Sequence, residues 1–206
     1  PLLSLLSIYL YMTKGDTPLS NPQEIHFLTS SGQQASMILS DGTSVRLNAE
    51  SNLTYRQDYG NINRSVNLSG ESFFEVEKDS LKPFIVCTEY LDIEVLGTSF
   101  NVYSYEKEDV EEMTLISGRI KISTHTTPIQ TVYLNPNEKV LFNKVSGKME
   151  VEETDNRFET AWLRGALVFR SKPMKDVKER LERKYGVTIH LDDPLIANDL
   201  VTGSFD

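Results

Sequence analysis

Apolar residues in this chain alternate with polar ones in short runs, and the runs are broken by glycine or asparagine. The clearest case is Ile93 to Val102: Ile93 and Val95 alternate before Gly97-Thr98, and Phe100 and Val102 alternate after it. A period of two places one face of a strand in a core. A glycine between two such runs marks a bend, a bulge or a positive φ. The same grammar recurs. Leu39-Ser-Asp-Gly42 leads into Val45-Arg-Leu47, and Leu68-Ser-Gly70 into Phe73, Phe74 and Val76. Leu115-Ile-Ser-Gly118 leads into Ile120-Lys-Ile122, and Leu134-Asn-Pro-Asn137 into Val140-Leu-Phe142. Each unit reads as strand, tight polar turn, strand, with Asp-Gly and Ser-Gly supplying the backbone freedom of hairpins. Five such units predict an all-β body of hairpins or short solenoid-like turns. Their uneven spacing favours an irregular pair of sheets over a strict repeat.

The remaining elements follow in order. A first strand is expected near Glu24–Leu28, and the β body runs from about Met37 to Val151. Within it, 50–64 reads as a long polar hairpin loop around Leu53-Thr-Tyr55. The character changes near Asp155. Ala161 to Phe169 reads as a strand. Pro173 suits the first turn of a helix, and Met174, Val177, Leu181 and Tyr185 form one apolar stripe along it. Gly186 is placed to end that helix. Val187–Leu191 and Leu200–Phe205 read as two further strands. The fold class is therefore mainly β: an all-β domain over 19–154, then a small α+β (β-α-β-β) unit over 155–206. A unit with so few strands is part of a layer, so the natural protein is expected to continue past Asp206.

Residues 1–18 form a separate region. Pro1 to Met12 is apolar and uncharged, and Thr13 to Ser36 is polar, with Gly15, Pro18 and Pro22. Twelve residues cannot cross a bilayer, which needs about 20. They read as the outer end of a membrane span followed by a linker, with Tyr9 and Tyr11 at the level of an aromatic belt. The composition is that of a globular chain, and its net charge of −9 repels phosphate backbones, which argues against nucleic acid as a partner. The single cysteine, Cys87, leaves no intrachain disulfide and reads as a small core residue after Phe84-Ile-Val86.

Catalytic chemistry is sparse. His26, His125 and His190 lie in separate regions without metal-ligand spacing, so neither metal nor cofactor is expected. Asp192-Asp193 before Pro194 reads as turn chemistry. Glu71 and Glu75 could act as a carboxylate pair of the glycosidase kind, although glutamates near a turn are usually solvated. Asn52, Asn63 and Asn67 each begin an Asn-x-Ser/Thr sequon. Trp162 and the tyrosines motivate a glycan-binding or glycan-cleaving β domain as the alternative function, and a structural envelope domain is a third.

The order Leu39 to Ala49, Ser51 to Tyr55, Arg64 to Val76, Pro83 to Val86 and Val95 to Val102 resembles the FecR family of anti-sigma factors. Trp162-Leu-Arg-Gly, Leu167-Val-Phe169, Tyr185-Gly-Val and Thr202-Gly-Ser-Phe205 look like the C-terminal domain of its Bacteroidetes members. Ser72 stands where alanine is usual, and Asn137 where the family often has glycine. The resemblance implies a non-enzymatic, single-pass inner-membrane protein with this region in the periplasm. A cytoplasmic segment outside this chain would hold an extracytoplasmic-function sigma factor. The periplasmic part would meet the signalling domain of a TonB-dependent outer-membrane transducer, and periplasmic and membrane proteases would then release the sigma factor. The tail resembles half of the secretin/TonB short N-terminal fold. An exposed edge there makes Leu200, Val201, Thr202, Gly203, Ser204 and Phe205 the expected docking surface. The resemblance also implies self-cleavage at Gly97-Thr98, by attack of the threonine hydroxyl on the preceding carbonyl.

Overall fold

The structure is a computed structural model that describes residues 23–205; the apolar start, Pro1 to Met12, and its linker to Pro22 lie outside the described residues. The body is a sandwich of two sheets. In chain order the strands are β1 (Glu24–Leu28), β2 (Ala35–Ile38), β3 (Ser44–Leu47), β4 (Asn52–Arg56), β5 (Arg64–Glu75), β6 (Phe84–Cys87), β7 (Leu91–Val95) and β8 (Ser99–Ser104). They continue with β9 (Val110–Ser117), β10 (Ile120–Thr124), β11 (Thr131–Leu134), β12 (Glu138–Asn143) and β13 (Lys148–Glu153). The first sheet is ordered β1-β4-β5-β6-β7-β10-β11 and the second β2-β3-β5-β8-β9-β12-β13. Strand β5 belongs to both.

That sharing is the key to the topology. Residues 64–69 of β5 pair with β4 and β6 in the first sheet, and 70–75 pair with β3 and β8 in the second. The strand doubles back at Gly70, so Arg64 Nη1 reaches the carbonyl of Glu77 at 2.9 Å. Gly70 has φ +116°, and a Cβ there would sit 2.4 Å from Ser51 Oγ, so no other residue fits without displacing the neighbouring chain.

The glycine grammar therefore means something other than the sequence reading supposed. Only Asp41-Gly42 turns a hairpin, joining β2 to β3. Strand β7 lies in the first sheet and β8 in the second, so Gly97 marks a crossing between layers. Gly118 carries β9 across to β10, and Asn137 carries β11 across to β12. The true hairpins, β6-β7, β8-β9, β10-β11 and β12-β13, lie at the opposite end and alternate between the sheets. Asn137, at φ +68°, fills a glycine-like position because asparagine tolerates the left-handed region better than most residues.

Both inner faces feed one core, in which Phe74 of the second sheet meets Phe84 of the first at 5.7 Å between ring centroids. At the crossover end, the buried Arg64 donates to Lys82 O at 2.8 Å and to Asp41 Oδ2 at 3.2 Å, while Tyr59 donates to Asp41 at 2.8 Å. This staple fixes the 77–83 connection.

The C-terminal unit differs from expectation in three places. Ala161–Arg164 is a 3₁₀ turn rather than the start of a strand, preceded by the short helix α1 (Asn156–Glu159). Gly165, at φ +81°, ends that turn, so β14 begins only at Leu167 and runs to Pro173. Helix α2 (Met174–Tyr185) ends on Gly186 at φ +66°, as the sequence indicates. Val187–Leu191 is not a strand: it lies largely exposed, its Ile189 N–H bonded to Glu182 Oε1 at 2.6 Å. Strand β15 (Leu200–Phe205) instead pairs antiparallel with β14, giving β-α-β rather than β-α-β-β. Residues 50–64 are likewise only partly loop, since Asn52–Arg56 is a strand. Cys87 is half-buried rather than a core residue, because its side chain alternates away from the inner face that Phe84 and Val86 occupy.

Candidate functional site

The C-terminal unit covers the outer face of the second sheet, and this contact buries the carboxylates of Glu71 and Glu112. Outward positions of β5, β8 and β9 bring Glu71, Asn101, Tyr103 and Glu112 onto that face. Helix α2 answers with Arg180 and Arg183, three residues apart and therefore on one side. Glu112 is nearly buried and pairs with Lys172 at 2.6 Å, Arg180 at 3.5 Å and Lys139 at 3.8 Å. Burial works to raise its pKa, but the three cations hold it down at about 2. Arg183 reaches Glu108 at 2.5 Å and Tyr103 Oη at 2.8 Å, and its guanidinium lies 3.7 Å from the ring centroid of Tyr105. Burial pushes the Tyr103 hydroxyl well above its ordinary pKa. Such contacts are expensive to desolvate, so removing one partner leaves an uncompensated buried charge.

The 3₁₀ turn supplies the second half of the contact. Trp162 Nε1 donates to Asn101 Oδ1 at 3.0 Å, and Asn101 Nδ2 donates to Glu71 Oε1 at 3.0 Å. Asn48 holds the other Glu71 oxygen at 2.7 Å. Burial raises the pKa of Glu71 despite these bonds. Arg46 Nη2 donates to Leu163 O at 3.0 Å. The loop after β1 closes over the end of α2, where Gly32 N donates to Arg183 O at 2.8 Å.

The structure treats the sequence candidates unequally. Glu71 and Glu75 are not brought together: they lie four residues apart, about 13 Å of strand, with Glu71 buried and Glu75 exposed. That separation exceeds what either glycosidase geometry uses. His26 lies beside Thr54, His125 pairs with Asp92 at 3.0 Å, and His190 is exposed in the C-terminal unit. Asp193 caps the 3₁₀ turn Pro194–Asn198 through Leu195 N. Trp162 is buried, though on a turn rather than a strand. At the Gly97 crossing φ is +151°, and a Cβ would meet Lys78 Cα at 2.9 Å. The buried Thr98 hydroxyl donates to Arg119 O at 3.2 Å.

Leu200–Phe205 forms β15, with Leu200 and Phe205 exposed and Phe205 edge-on to Phe169 at 5.9 Å. Among the described residues β15 pairs with β14 alone. The charged contact at Glu112, Arg180 and Arg183 was missed in the sequence. Its signal was Glu112 at an outward position of the strand Val110–Ser117, and two arginines on one side of a helix.

The class the fold defines is a two-layer β body with a small β-α-β unit docked on one face. Comparison with known proteins is specific. The family described as FecR protein matches residues 26–121, and that described as FecR, C-terminal matches 166–206. A 1.65 Å crystal structure from Parabacteroides distasonis ATCC 8503, provisionally described as an anti-sigma factor, is 33% identical with a TM-score of 0.83; the match covers 88% of this chain and 84% of that one. A second, at 2.50 Å and of the same description, has the same identity and TM-score and covers 89% and 85%. Among curated protein sequences, none matches. The chain belongs to the FecR family of anti-sigma factors. Among the described residues, no helix is long and apolar enough to cross a membrane.

Proposed function

We propose that this chain is the periplasmic sensor region of a single-pass inner-membrane anti-sigma factor. It relays a signal from a TonB-dependent outer-membrane transducer, by protein contact and regulated proteolysis, to a sigma factor held on the cytoplasmic side. The observation that carries this reading is the two-stranded β14-β15 sheet, whose edge at Leu200–Phe205 has no further strand partner among the described residues. Such an edge offers unpaired backbone groups to an added strand, and alternate side chains supply specificity. Co-purification with isolated transducer signalling domains is the test. Binding that is lost in Val201→Pro supports strand addition. Unchanged binding of Val201→Pro counts against that mode, and failure to bind any such domain counts against the relay.

Self-cleavage at Gly97-Thr98 is a second element of the proposal, favoured by the glycine's positive φ and the buried hydroxyl beside it. Incubating the chain and its Thr98→Ala variant, then resolving fragments on a gel, decides it. Two fragments in the wild type alone support cleavage; an intact wild type rejects it.

A further inference from the structure

Both ends of the sandwich expose apolar side chains, the far end at Ile129 (70%) and Val145 (83%), and what sets the crossover end apart is the chain that enters there. At the crossover end, three loops present apolar side chains to solvent: Ile62 is 71% exposed, Leu81 93% and Leu96 44%. These loops are neighbours. Lys82 Nζ donates to Gly60 O at 2.6 Å, and Asp79 N donates to Leu96 O at 2.9 Å. They are held rigidly, because Arg64 ties the 77–83 loop to the body and Asp79 Oδ1 accepts from the Leu81 and Lys82 amides. Lys78 and Arg119 are exposed at the same end, with Glu77 the opposing exposed charge in the 77–83 loop.

The N-terminal segment enters at this end as well. Gln57 N donates to Gln23 O at 2.8 Å, which places Gln23 against the 57–63 loop. Ten residues, 13–22, separate Gln23 from the apolar run Pro1 to Met12, a reach of at most about 35 Å. The C-terminal unit leans the other way. Helix α2 contacts the 29–34 loop through Gly32 and the 105–109 loop through Arg183–Glu108 and Lys175–Asp109.

We infer that the tip formed by Ile62, Leu81 and Leu96 is a lipid-facing surface that seats the sandwich on the bilayer, with its flanking Lys78 and Arg119 at the headgroups. Exposed apolar side chains beside cations are the pattern of interfacial contact. The inference rests on the membrane tether of the proposed function, because only a short tether holds so small a surface against lipid. It orients the molecule: the far end and helix α2 point away from the membrane, toward a partner arriving from the outer side.

The test supplies the tether itself. The full chain, carrying an N-terminal polyhistidine tag, is anchored to vesicles of phosphatidylethanolamine and phosphatidylglycerol containing a chelating lipid. A polarity-sensitive fluorophore is placed in a Cys87→Ser background at Leu81→Cys, at Ile62→Cys, or at the far end at Val145→Cys. Blue-shifted emission at 81 and 62, severalfold more quenched by lipid-borne quencher than at 145, is the expected result. Equal quenching at all three positions, or stronger quenching at 145, overturns the assignment. A shift at 81 that needs an added transducer domain rather than lipid also overturns it. Since the anchor is artificial, these outcomes do not depend on the natural tether, whose failure would appear separately as absence of the native protein from the inner-membrane fraction.

Discussion

Single positions set the two layers. Gly70 lets β5 belong to both sheets, and its missing Cβ is what keeps Ser51 in place. Gly70→Ala is expected to cost about 3 kcal/mol, combining a strained φ with a backbone clash. Gly147→Ala has open space around it, so only its φ of +67° is penalised, by about 1 kcal/mol. Urea unfolding of the two variants checks the contrast. Glu111 is a different kind of position. It is fully buried, accepts from Thr88 Oγ1 at 2.7 Å through one oxygen, and has no hydrogen-bond partner for the other. Burial raises its pKa in the folded state, so between the unfolded and folded values the folded chain binds more proton than the unfolded one. Stability from this group is fully present below the ordinary carboxylate pKa and is lost as pH rises through the folded value. Glu111→Gln should therefore raise the melting temperature at neutral pH by a few degrees, on the order of 1 kcal/mol. In acid it should leave the melting temperature nearly unchanged. Thermal scans across pH test this; equal effects at both ends of the range would contradict it.

Among elements, the docking of α2 on the second sheet has the clearest consequence. Glu112 is held near a pKa of about 2 by Arg180, Lys172 and Lys139. Its folded value lies below the ordinary glutamate value of 4.5, so its stabilisation is present above that value and is lost as pH falls toward about 2. The C-terminal unit should loosen across that window. Glu112→Ala should reproduce the loosening at neutral pH, at about 3 kcal/mol, seen as faster proteolysis near 154–166 with the β body still protected. The elements themselves were unequally legible in sequence. Alternation exposed the strands that bury one face, such as β3, β7 and β10, whereas β8 and β9 are buried on both. Pairing was not legible: the same glycine serves a hairpin at Gly42 and a layer crossing at Gly97, and only long-range partners separate the two. Val187–Leu191 has strand-forming residues, but no strand pairs with it among the described residues. Helix α2 packs against the small β14-β15 sheet and the 3₁₀ turn Pro194–Asn198, with Val177 the buried member of its stripe. Arg180 and Arg183, which lie off that stripe, carry the docking contact. Buried charge of this kind breaks the pattern that makes sequence readable.

For the whole molecule, the two ends divide the work. Apolar loops and the N-terminal entry share one end, while α2 leans toward the other. Such an arrangement suits a receiver held at one surface and touched from another, and among the described residues the β15 edge has no further strand partner. Hydrogen exchange of the chain with and without a transducer signalling domain tests this most directly. The account predicts new amide protection concentrated in Leu200–Phe205, with the sandwich strands unchanged. A bound complex in which those amides exchange as fast as in the free chain, and protection appears elsewhere, would contradict it.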